Sequence, residues 1–426
     1  MADYLAMTVP QLQDERKKLT DAYQMFADRG LALDMSRGKP SPEQLDLSMG
    51  LFEIRQFIGE NGVDARNYGN LEGMPEARRF FSGILGVSPD EVLVGGNSSL
   101  HMMYSMVELA SRRGFPDGSA PWVRPEHKPK FLCPSPGYDR HFFITEYFGY
   151  EMLTVPMLPT GPDMDLVEQL AKDPDVKGIW CVPKYSNPDG YSYSDDTVRR
   201  LARMETGAPD FRIFWDNAYA VHHISDTPDE VLNIMDLCRE AGYENRPLLF
   251  CSLSKVTFSG ASVAAMAASK ANLTYILSNL AAATIGFDKV NQLRHVLFLK
   301  DMEGLQAHMC RQRALIEPKF QIVWELFEQE LAPCGNIARW THPNGGYFIS
   351  LYTMDGCAKR TVELCAKAGV KLTAAGAAFP YGKDPHDSNI RIAPTYPPLE
   401  ELRTAAQLLC VALRLATVEK LLEKHA

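Results

Sequence analysis

The sequence predicts an α/β protein with two parts: a large domain built on a mostly parallel central sheet covered by helices, and a smaller α+β domain. Three observations point to this class. Short apolar runs alternate with amphipathic stretches from about residue 60 to residue 310, polar motifs stand where the apolar runs end, and the pattern changes after about residue 310. A chain of 426 residues has room for both domains.

The N-terminal segment is predicted to begin with a polar helix over residues 4–30. A short strand that leads into a loop follows at residues 31–40. We expect residues 1–60 to contribute to the smaller domain.

The large domain is predicted to span residues 61–309, with helices that include Ser98–Arg112 and Asp195–Glu205. Its predicted strands are Glu91–Val94, Lys130–Cys133, Gly178–Val182, Arg212–Trp215, Leu248–Ser252 and Ala264–Ala268. A parallel sheet of this kind binds its ligand beyond the carboxyl ends of the strands.

Residues 310–426 are predicted to form the smaller domain. Its expected elements are a charged helix, a strand, a second helix, a second strand and a long final helix: Arg311–Glu330, Tyr347–Tyr352, Lys359–Ala368, Asn389–Ile392 and a helix from Leu399 onward.

Composition excludes several classes of function. A net charge of −9 with dispersed basic residues argues against a nucleic-acid partner. No apolar run has the length of a membrane span, and the N-terminus lacks a signal-peptide pattern. Nine scattered cysteines without a CxxC pair favour a reducing cytoplasm and give no metal site.

The stretch Ser252-Leu253-Ser254-Lys255 carries the strongest chemical signal. It follows the apolar run Pro247–Cys251, so Lys255 is predicted at the end of a buried strand. Burial lowers the pKa of an amine, and a neutral amine attacks an aldehyde to form an imine. With hydroxyls nearby that could hold a phosphate, the pattern suggests pyridoxal phosphate (PLP) bound to Lys255. The alternative is a solvated strand-end lysine.

A second motif, Gly95-Gly96-Asn97-Ser98, follows a strand and opens a helix. Glycines let the backbone approach an anion, and the amides at a helix start attract negative charge, so Gly96, Asn97 and Ser98 are candidate phosphate ligands. A glycine turn with Asn97 or Ser98 as helix cap is an equal alternative.

Three other strand ends carry polar or aromatic residues. Tyr138 could stack on a flat cofactor, and Asn187 could donate to its phenolic oxygen. Asp216 could keep a pyridinium nitrogen protonated, with Tyr219 beside the imine. Each has a structural alternative: a core tyrosine, a turn at Asn-Pro-Asp-Gly, or a helix cap.

Arg391 stands inside an otherwise apolar strand, where a buried guanidinium needs an anion. A substrate carboxylate is one such anion, and a structural ion pair is the alternative. Tyr68, in Tyr68-Gly69-Asn70-Leu71-Glu72-Gly73, is by itself more typical of a turn.

Together these motifs stand in a recognisable order. The chain resembles fold-type I PLP-dependent aminotransferases of class I/II from Ser36 to Pro394. It is most similar to the aspartate aminotransferase branch related to MocR-type aminotransferase domains, on the segments Tyr185–Gly190, Ser254–Phe258 and Asp288–Arg294.

The resemblance implies roles for matching positions. Lys255 would hold the cofactor and shuttle a proton, with Asp216 and Tyr219 as the other catalytic residues. The implied cofactor contacts are Gly96, Asn97, Ser98, Tyr138, Asn187, Asp216, Tyr219 and Ser252. Arg391 would bind the substrate α-carboxylate, near Asn187 and Gly38. Tyr68 would reach the phosphate in the neighbouring subunit's site, which requires a homodimer.

One departure from the family pattern concerns the phosphate. Class members usually carry an arginine about eight residues after the lysine, but Ser259–Val263 contains none. Ser262 is expected to take its place, and further hydroxyl or amide donors would have to substitute for the lost charge.

The expected reaction is amino transfer between an amino acid, aspartate or glutamate, and a 2-oxo acid such as 2-oxoglutarate. The open alternatives are transfer from 2-aminoadipate, aromatic amino acids or alanine, a PLP-dependent β-lyase or decarboxylase, and a non-catalytic PLP sensor. A dicarboxylate substrate needs a second cation, and the candidates are Arg37, Arg140, Lys289 and Arg294.

Overall fold

The computed structural model describes residues 3–118 and 120–425. Its α-helices, in chain order, are α1 (Val9–Ala27), α2 (Pro42–Asp46), α3 (Pro75–Leu85), α4 (Ser99–Arg113), α5 (Asp139–Tyr147), α6 (Met164–Leu170), α7 (Asp195–Arg203), α8 (Ile234–Glu240), α9 (Lys270–Leu280), α10 (Lys289–Leu299), α11 (Met302–Glu330), α12 (Ala358–Lys367) and α13 (Leu399–Glu423).

The β-strands are shorter and fall mostly between the helices. In chain order they are β1 (Leu33–Asp34), β2 (Val92–Val94), β3 (Lys130–Ser135), β4 (Glu151–Leu158), β5 (Gly161–Pro162), β6 (Val176–Cys181), β7 (Arg212–Asp216), β8 (Pro247–Ser252), β9 (Ala264–Ala267), β10 (Ala338–Trp340), β11 (Ile349–Thr353), β12 (Val370–Lys371) and β13 (Asn389–Ile392).

The large sheet has the order β2-β9-β8-β7-β6-β3-β4-β5. The five strands β8, β7, β6, β3 and β4 are parallel, which confirms the predicted mostly parallel sheet. The strand β9 runs antiparallel to β8, because the connection between Ser252 and Ala264 is too short for a parallel crossover.

Both faces of the large sheet are buried. Along β7, Ile213 and Trp215 pack into one hydrophobic cluster while Phe214 packs into another on the opposite face. Burial on two faces explains why the central strands are continuous apolar runs in the sequence. In the strand β4 only Met152 and Val155 are buried, and this strand was not predicted from the sequence.

The smaller part combines an antiparallel sheet, β10-β11-β13, with the long helices α11 and α13 and the shorter helix α12 around a separate core. The N-terminal segment joins it, since β1 pairs with β12 and α1 packs against α13. Residue 310 lies within the continuous helix α11, so no break in secondary structure marks the predicted boundary. The division at 60 and 310 stays a prediction.

Within the described ranges 3–118 and 120–425, none of the helices combines the length and the apolar character that crossing a membrane requires.

Candidate active site

The carboxyl ends of four adjacent parallel strands meet at one edge of the large sheet. Tyr138 follows β3, Asn187 follows β6, Asp216 ends β7 and Lys255 follows β8. They border a cavity of about 610 Å³ between this edge and the smaller part. The predicted site residues on its wall are Gly38, Tyr138, Asn187, Asp216, Tyr219, Lys255 and Arg391.

Lys255 has the surroundings of a reactive amine. Its Nζ lies 4.8 Å from the centre of the Tyr219 ring and donates no hydrogen bond to any residue within the described parts of the chain. Burial lowers the pKa of this amine, and the negative charge of Asp216 offsets only part of the shift. The neutral amine is therefore more populated than in an exposed lysine.

Asp216 is held by a histidine that the sequence analysis did not single out. The Nε2 atom of His141 lies 3.0 Å from Asp216 Oδ2, and both side chains are buried. The His141 ring stacks on Trp180 with centroids 4.4 Å apart. The other oxygen, Asp216 Oδ1, is buried without a hydrogen-bond partner among the described residues. His141 thus holds one carboxylate oxygen in place, and the other oxygen can accept a hydrogen bond from a ligand.

Two tyrosines flank this carboxylate. Tyr138 stands edge-on to His141, with ring centroids 5.0 Å apart. Burial, and then the charges of Asp216 and Asp139, raise the pKa of Tyr138 to about 12. Burial also raises the pKa of Tyr219, which is 3% exposed. Both phenols therefore carry their protons at neutral pH and can donate hydrogen bonds.

Arg391 projects from β13 into the cavity wall. Its Nη1 donates to Asp139 Oδ1 at 2.8 Å and to Asn187 Oδ1 at 3.3 Å, and its guanidinium carbon lies 5.1 Å from the centre of the Phe348 ring. The contacts with Asp139 and Asn187 join the smaller part to the large domain. The predicted carboxylate-binding cation therefore does line the cavity, with one carboxylate of its own chain already against it.

Gly38 lies where the N-terminal segment passes the same phenylalanine. A Cβ atom at this position would stand 2.5 Å from the Phe348 ring. Only glycine allows the segment to come this close, and Phe348 in turn supports Arg391.

The predicted phosphate residues separate into two groups. Gly96, Asn97 and Ser262 line a second cavity of about 490 Å³, together with Asn291 and Arg294. Backbone hydrogen bonds of 2.8 Å from Gly95 to Ala264 and from Ala264 to Gly96 hold the two strands of this wall together. An arginine with no salt bridge to the described residues therefore stands beside the predicted phosphate ligands.

Ser98 and Ser252 line neither cavity. The Ser98 hydroxyl caps α4 by accepting the His101 amide at 3.4 Å. The Ser252 hydroxyl donates to the Ser254 hydroxyl at 3.0 Å. In this structure Ser98 is therefore a helix cap, which was the alternative interpretation. That Ser98 and Ser252 bind phosphate stays a prediction.

Tyr68 lies on the surface, with 84% of its area exposed. Buried Lys289 fixes its loop, because Nζ donates to the carbonyls of Asn67 and Gly69 at 2.6 and 2.8 Å. Two of the three Lys289 donors are thereby used within its own chain, and this residue does not line the main cavity. The structure does not bring Tyr68 to the cavity of its own chain.

The remaining candidate cations divide between the cavities. Arg37 and Arg140 line the main cavity, and Arg294 lines the second. Lys39 and Lys371, which the sequence analysis did not consider, also border the main cavity. The sequence gives little indication of them, because a single surface lysine belongs to no motif that would mark it as a site residue.

A cavity of about 700 Å³ lies at the opposite edge of the large sheet, beside Arg212 at the start of β7 and Arg246 just before β8. It contains none of the predicted site residues. In parallel sheets the ligand binds at the carboxyl ends of the strands, so the 610 Å³ cavity is the candidate active site.

The residues of this site fit pyridoxal phosphate. The unpartnered oxygen of Asp216 suits a protonated ring nitrogen, and the unpaired amine of Lys255 suits the aldehyde. The second cavity offers backbone amides, the Ser262 hydroxyl and a guanidinium to a phosphate.

His141 and Asp139 are the main residues that the sequence analysis missed. Both lie in Tyr138-Asp139-Arg140-His141, at the start of a helix whose first residues border the cavity. The spacing of three residues from Tyr138 to His141 places both rings on one helix face, which is a signal that the sequence did contain.

Comparison with known proteins agrees with this geometry. Residues 7–425 match the family described as aspartate amino-transferase. An aspartate aminotransferase of Corynebacterium glutamicum is 43% identical over 430 residues, covering 98% of this chain and 99% of that protein. A protein of Mycolicibacterium smegmatis, provisionally named an aminotransferase, is 49% identical over 406 residues, covering 94% of each chain.

A crystal structure of an aspartate transaminase from Corynebacterium glutamicum superposes with a TM-score of 0.96 at 41% identity, covering 98% of this chain and 99% of that one. These findings confirm the predicted fold class, cofactor and type of enzyme, while the finer likeness to MocR-type domains stays a prediction. The chain belongs to the aspartate aminotransferase family, and it is a PLP-dependent aminotransferase.

Proposed function

We propose that this enzyme moves the amino group between aspartate or glutamate and a 2-oxo acid such as 2-oxoglutarate. The observation that carries the proposal is a single cavity in which Lys255, Asp216 and Arg391 meet beneath a rim of cations. An amine, a buried carboxylate and a guanidinium are the groups that amino transfer on an α-carboxylic acid requires.

The rim of the cavity is positively charged in a chain of net charge −9. Its cations are Arg37, Lys39, Arg140 and Lys371, and none forms a salt bridge with a residue that the structure describes. Opposite charge focused at a cleft attracts anionic ligands and raises their local concentration. A dicarboxylic amino acid gains from such a rim more than a monocarboxylic one.

We assign the distal carboxylate to Arg37 or Arg140, because both border the main cavity and Lys289 and Arg294 do not. The likeness to the aspartate aminotransferase of Corynebacterium glutamicum along the whole chain supports the same substrate class.

The residues of the chain divide the chemistry among them. When bound, pyridoxal phosphate supplies an electron sink for the negative charge that develops at the substrate Cα. Asp216, fixed by His141, keeps a positive charge at the far side of that sink. Lys255 Nζ can accept the Cα proton and return it, since burial favours its neutral form. Arg391 orients the α-carboxylate.

For the cofactor phosphate, we assign Arg294 the positive charge that the missing family arginine would supply. It lines the same cavity as Gly96, Asn97 and Ser262 and makes no salt bridge within the described residues. A guanidinium can bind phosphate bidentately, so this position compensates for the loss after Lys255.

The working unit in this proposal is a homodimer. Tyr68 is exposed on a loop that a buried lysine holds in place, and the apolar side chains of Phe52 and Ile285 are 62% and 63% exposed. An ordered loop with an exposed aromatic side chain is typical of a surface that binds a partner. Tyr68 would then contribute to the phosphate site of the second copy.

We also propose a cytoplasmic location. Its support is the scattered set of nine cysteines, eight of them buried, which is typical of a protein kept in a reducing compartment.

The test of the proposed function is the Lys255→Ala variant. The wild-type protein is expected to show a visible absorbance band with pyridoxal phosphate and to form oxaloacetate from aspartate and 2-oxoglutarate. The variant should lose the band and at least about 10⁴-fold in kcat, because the base and the covalent anchor are lost together. Full activity in the variant would refute the assignment.

Two controls sharpen this experiment. Lys184→Ala removes a partly buried lysine whose pKa burial also lowers but which does not line the cavity, and it should keep both band and activity. Product analysis separates the alternatives, since a decarboxylase would release alanine from aspartate, a β-lyase would eliminate the side chain, and neither would need 2-oxoglutarate.

A further inference from the structure

We infer that Asp139 competes with the substrate for Arg391, so that this internal carboxylate sets how tightly the enzyme binds carboxylate ligands. The inference rests on the proposed function, in which Arg391 binds the substrate α-carboxylate. It concerns a residue that the family motifs do not include.

Asp139 is placed to make this contact by its position in the chain. It is the first residue of α5, directly after Tyr138, and it borders the main cavity. Its Oδ1 accepts a hydrogen bond from Arg391 Nη1 at 2.8 Å. About 35% of the Asp139 side chain is exposed, against 9% for Arg391. The aspartate is therefore the more exposed partner of the pair, and solvent can replace the arginine as its hydrogen-bond donor.

The contact lies where a substrate carboxylate has to bind. The Nε atom of Arg391 is buried without a hydrogen bond to the described residues, and the two Nη atoms make the polar contacts of this side chain. Nη1 already donates to Asp139 and Asn187, whereas Nη2 has only a long contact of 3.4 Å with Thr373. A carboxylate that pairs with both Nη atoms must therefore displace Asp139.

Displacement costs the same for every substrate. Each amino acid must break the Asp139–Arg391 ion pair before its own carboxylate can take the place, whatever its side chain. Such a cost weakens ground-state and transition-state binding equally, so it raises KM and leaves kcat unchanged. The opposite possibility is that Asp139 orients Arg391 and ties the two parts of the molecule together, in which case its removal weakens ligand binding.

The experiment measures succinate binding to the holoenzyme by titration calorimetry, with Asp139→Asn and Asp139→Ala beside the wild type. Succinate carries two carboxylates and no amine, so it occupies the site without reacting. Both variants are expected to bind succinate roughly 3- to 10-fold more tightly, the range for a partly exposed charged hydrogen bond. KM for aspartate and for glutamate should fall by one common factor at constant kcat.

Glu146→Gln is the matched control, since it removes one negative charge from an exposed position of the same helix and should change neither quantity. Unchanged or weaker succinate binding in both Asp139 variants would overturn the inference. So would a KM decrease for only one of the two amino acids.

Arg391→Gln separates this inference from the function on which it rests. If Arg391 binds the carboxylate, Arg391→Gln loses succinate affinity, and adding Asp139→Asn to it restores nothing. If Arg391→Gln binds succinate as the wild type does, the assignment of Arg391 fails as well. An Asp139 variant without tighter binding, beside a weakened Arg391 variant, contradicts only the role of Asp139.

Discussion

At the level of single residues, the chain lacks the arginine that family members carry after Lys255, so another residue has to supply the positive charge for the cofactor phosphate. The second cavity places Arg294 beside Gly96, Asn97 and Ser262, although Arg294 lies more than thirty residues later in the chain. From the sequence, Arg294 was a candidate only for binding the distal carboxylate of the substrate. An arginine from a distant position of the chain can take the place of the missing one, because the fold, and not the spacing along the sequence, decides which charges lie close together.

Arg294→Gln is therefore expected to weaken cofactor binding. The Kd for pyridoxal phosphate, measured by fluorescence titration of the protein freed of cofactor, should rise about 10-fold, as for the loss of one charge-assisted hydrogen bond. The Arg113→Gln variant removes the same charge from the far end of α4, about 20 Å from its first turn, and should leave the Kd unchanged. An equal effect of both variants would mean that only net charge matters.

At the level of elements, the loop after β6 contacts β11 through the buried carboxyl group of Asp189. Tyr352 Oη donates to Asp189 Oδ1 at 2.6 Å, while Asp189 Oδ2 is buried without a partner in the described residues. Burial raises the pKa of Asp189 to about 6. The folded protein therefore holds this proton more tightly than the unfolded chain, and its stability decreases as the pH rises from about 4 through 6.

Asp189→Asn should remove this penalty and keep an acceptor for Tyr352. The free energy of unfolding, from urea titration of the protein without cofactor, should rise by about 1–3 kcal/mol at pH 8 and by clearly less at pH 5. Asp21→Asn, on the exposed side of α1, should change it at neither pH. A loss of stability at pH 8 would show that the Asp189 charge is stabilising, contrary to this reasoning.

At the level of the whole molecule, the proposed dimer predicts that two defective variants repair each other. Tyr68→Ala should lower activity about 10-fold or more through weaker phosphate binding, and Lys255→Ala should be inactive. In a mixed dimer, the chain with intact Lys255 receives an intact Tyr68 from the Lys255→Ala chain, so one site is complete.

The measurement is the activity of the two variants after joint unfolding and refolding, compared with each refolded separately. Activity should rise toward one quarter of the wild-type value in an equal mixture, since half of the dimers are mixed and each has one complete site. Light scattering gives the mass of the assembly. A mixture no more active than the average of the two variants would contradict a contribution of Tyr68 across the dimer.

The sequence by itself determined the fold class and, through its resemblance to PLP-dependent aminotransferases, the cofactor. It also predicted Lys255, Asp216, Asn187 and Arg391 as site residues, which the structure brings to one cavity. Local rules suffice for the sheet and for the convergence of Asn187, Asp216 and Lys255, because apolar runs predict buried strands and the carboxyl ends of adjacent parallel strands meet at one edge. Motifs that end those strands therefore converge without any knowledge of the packing.

Only the tertiary structure decided which charges face each other. It placed Asp139 against Arg391, His141 against Asp216, Lys289 beneath the Tyr68 loop and Arg294 beside the phosphate residues. It also fixed β9 antiparallel to β8 and carried α11 across the predicted boundary. Electrostatic pairing depends on distances of a few ångströms between elements remote in the chain, and no local pattern in the sequence encodes those distances.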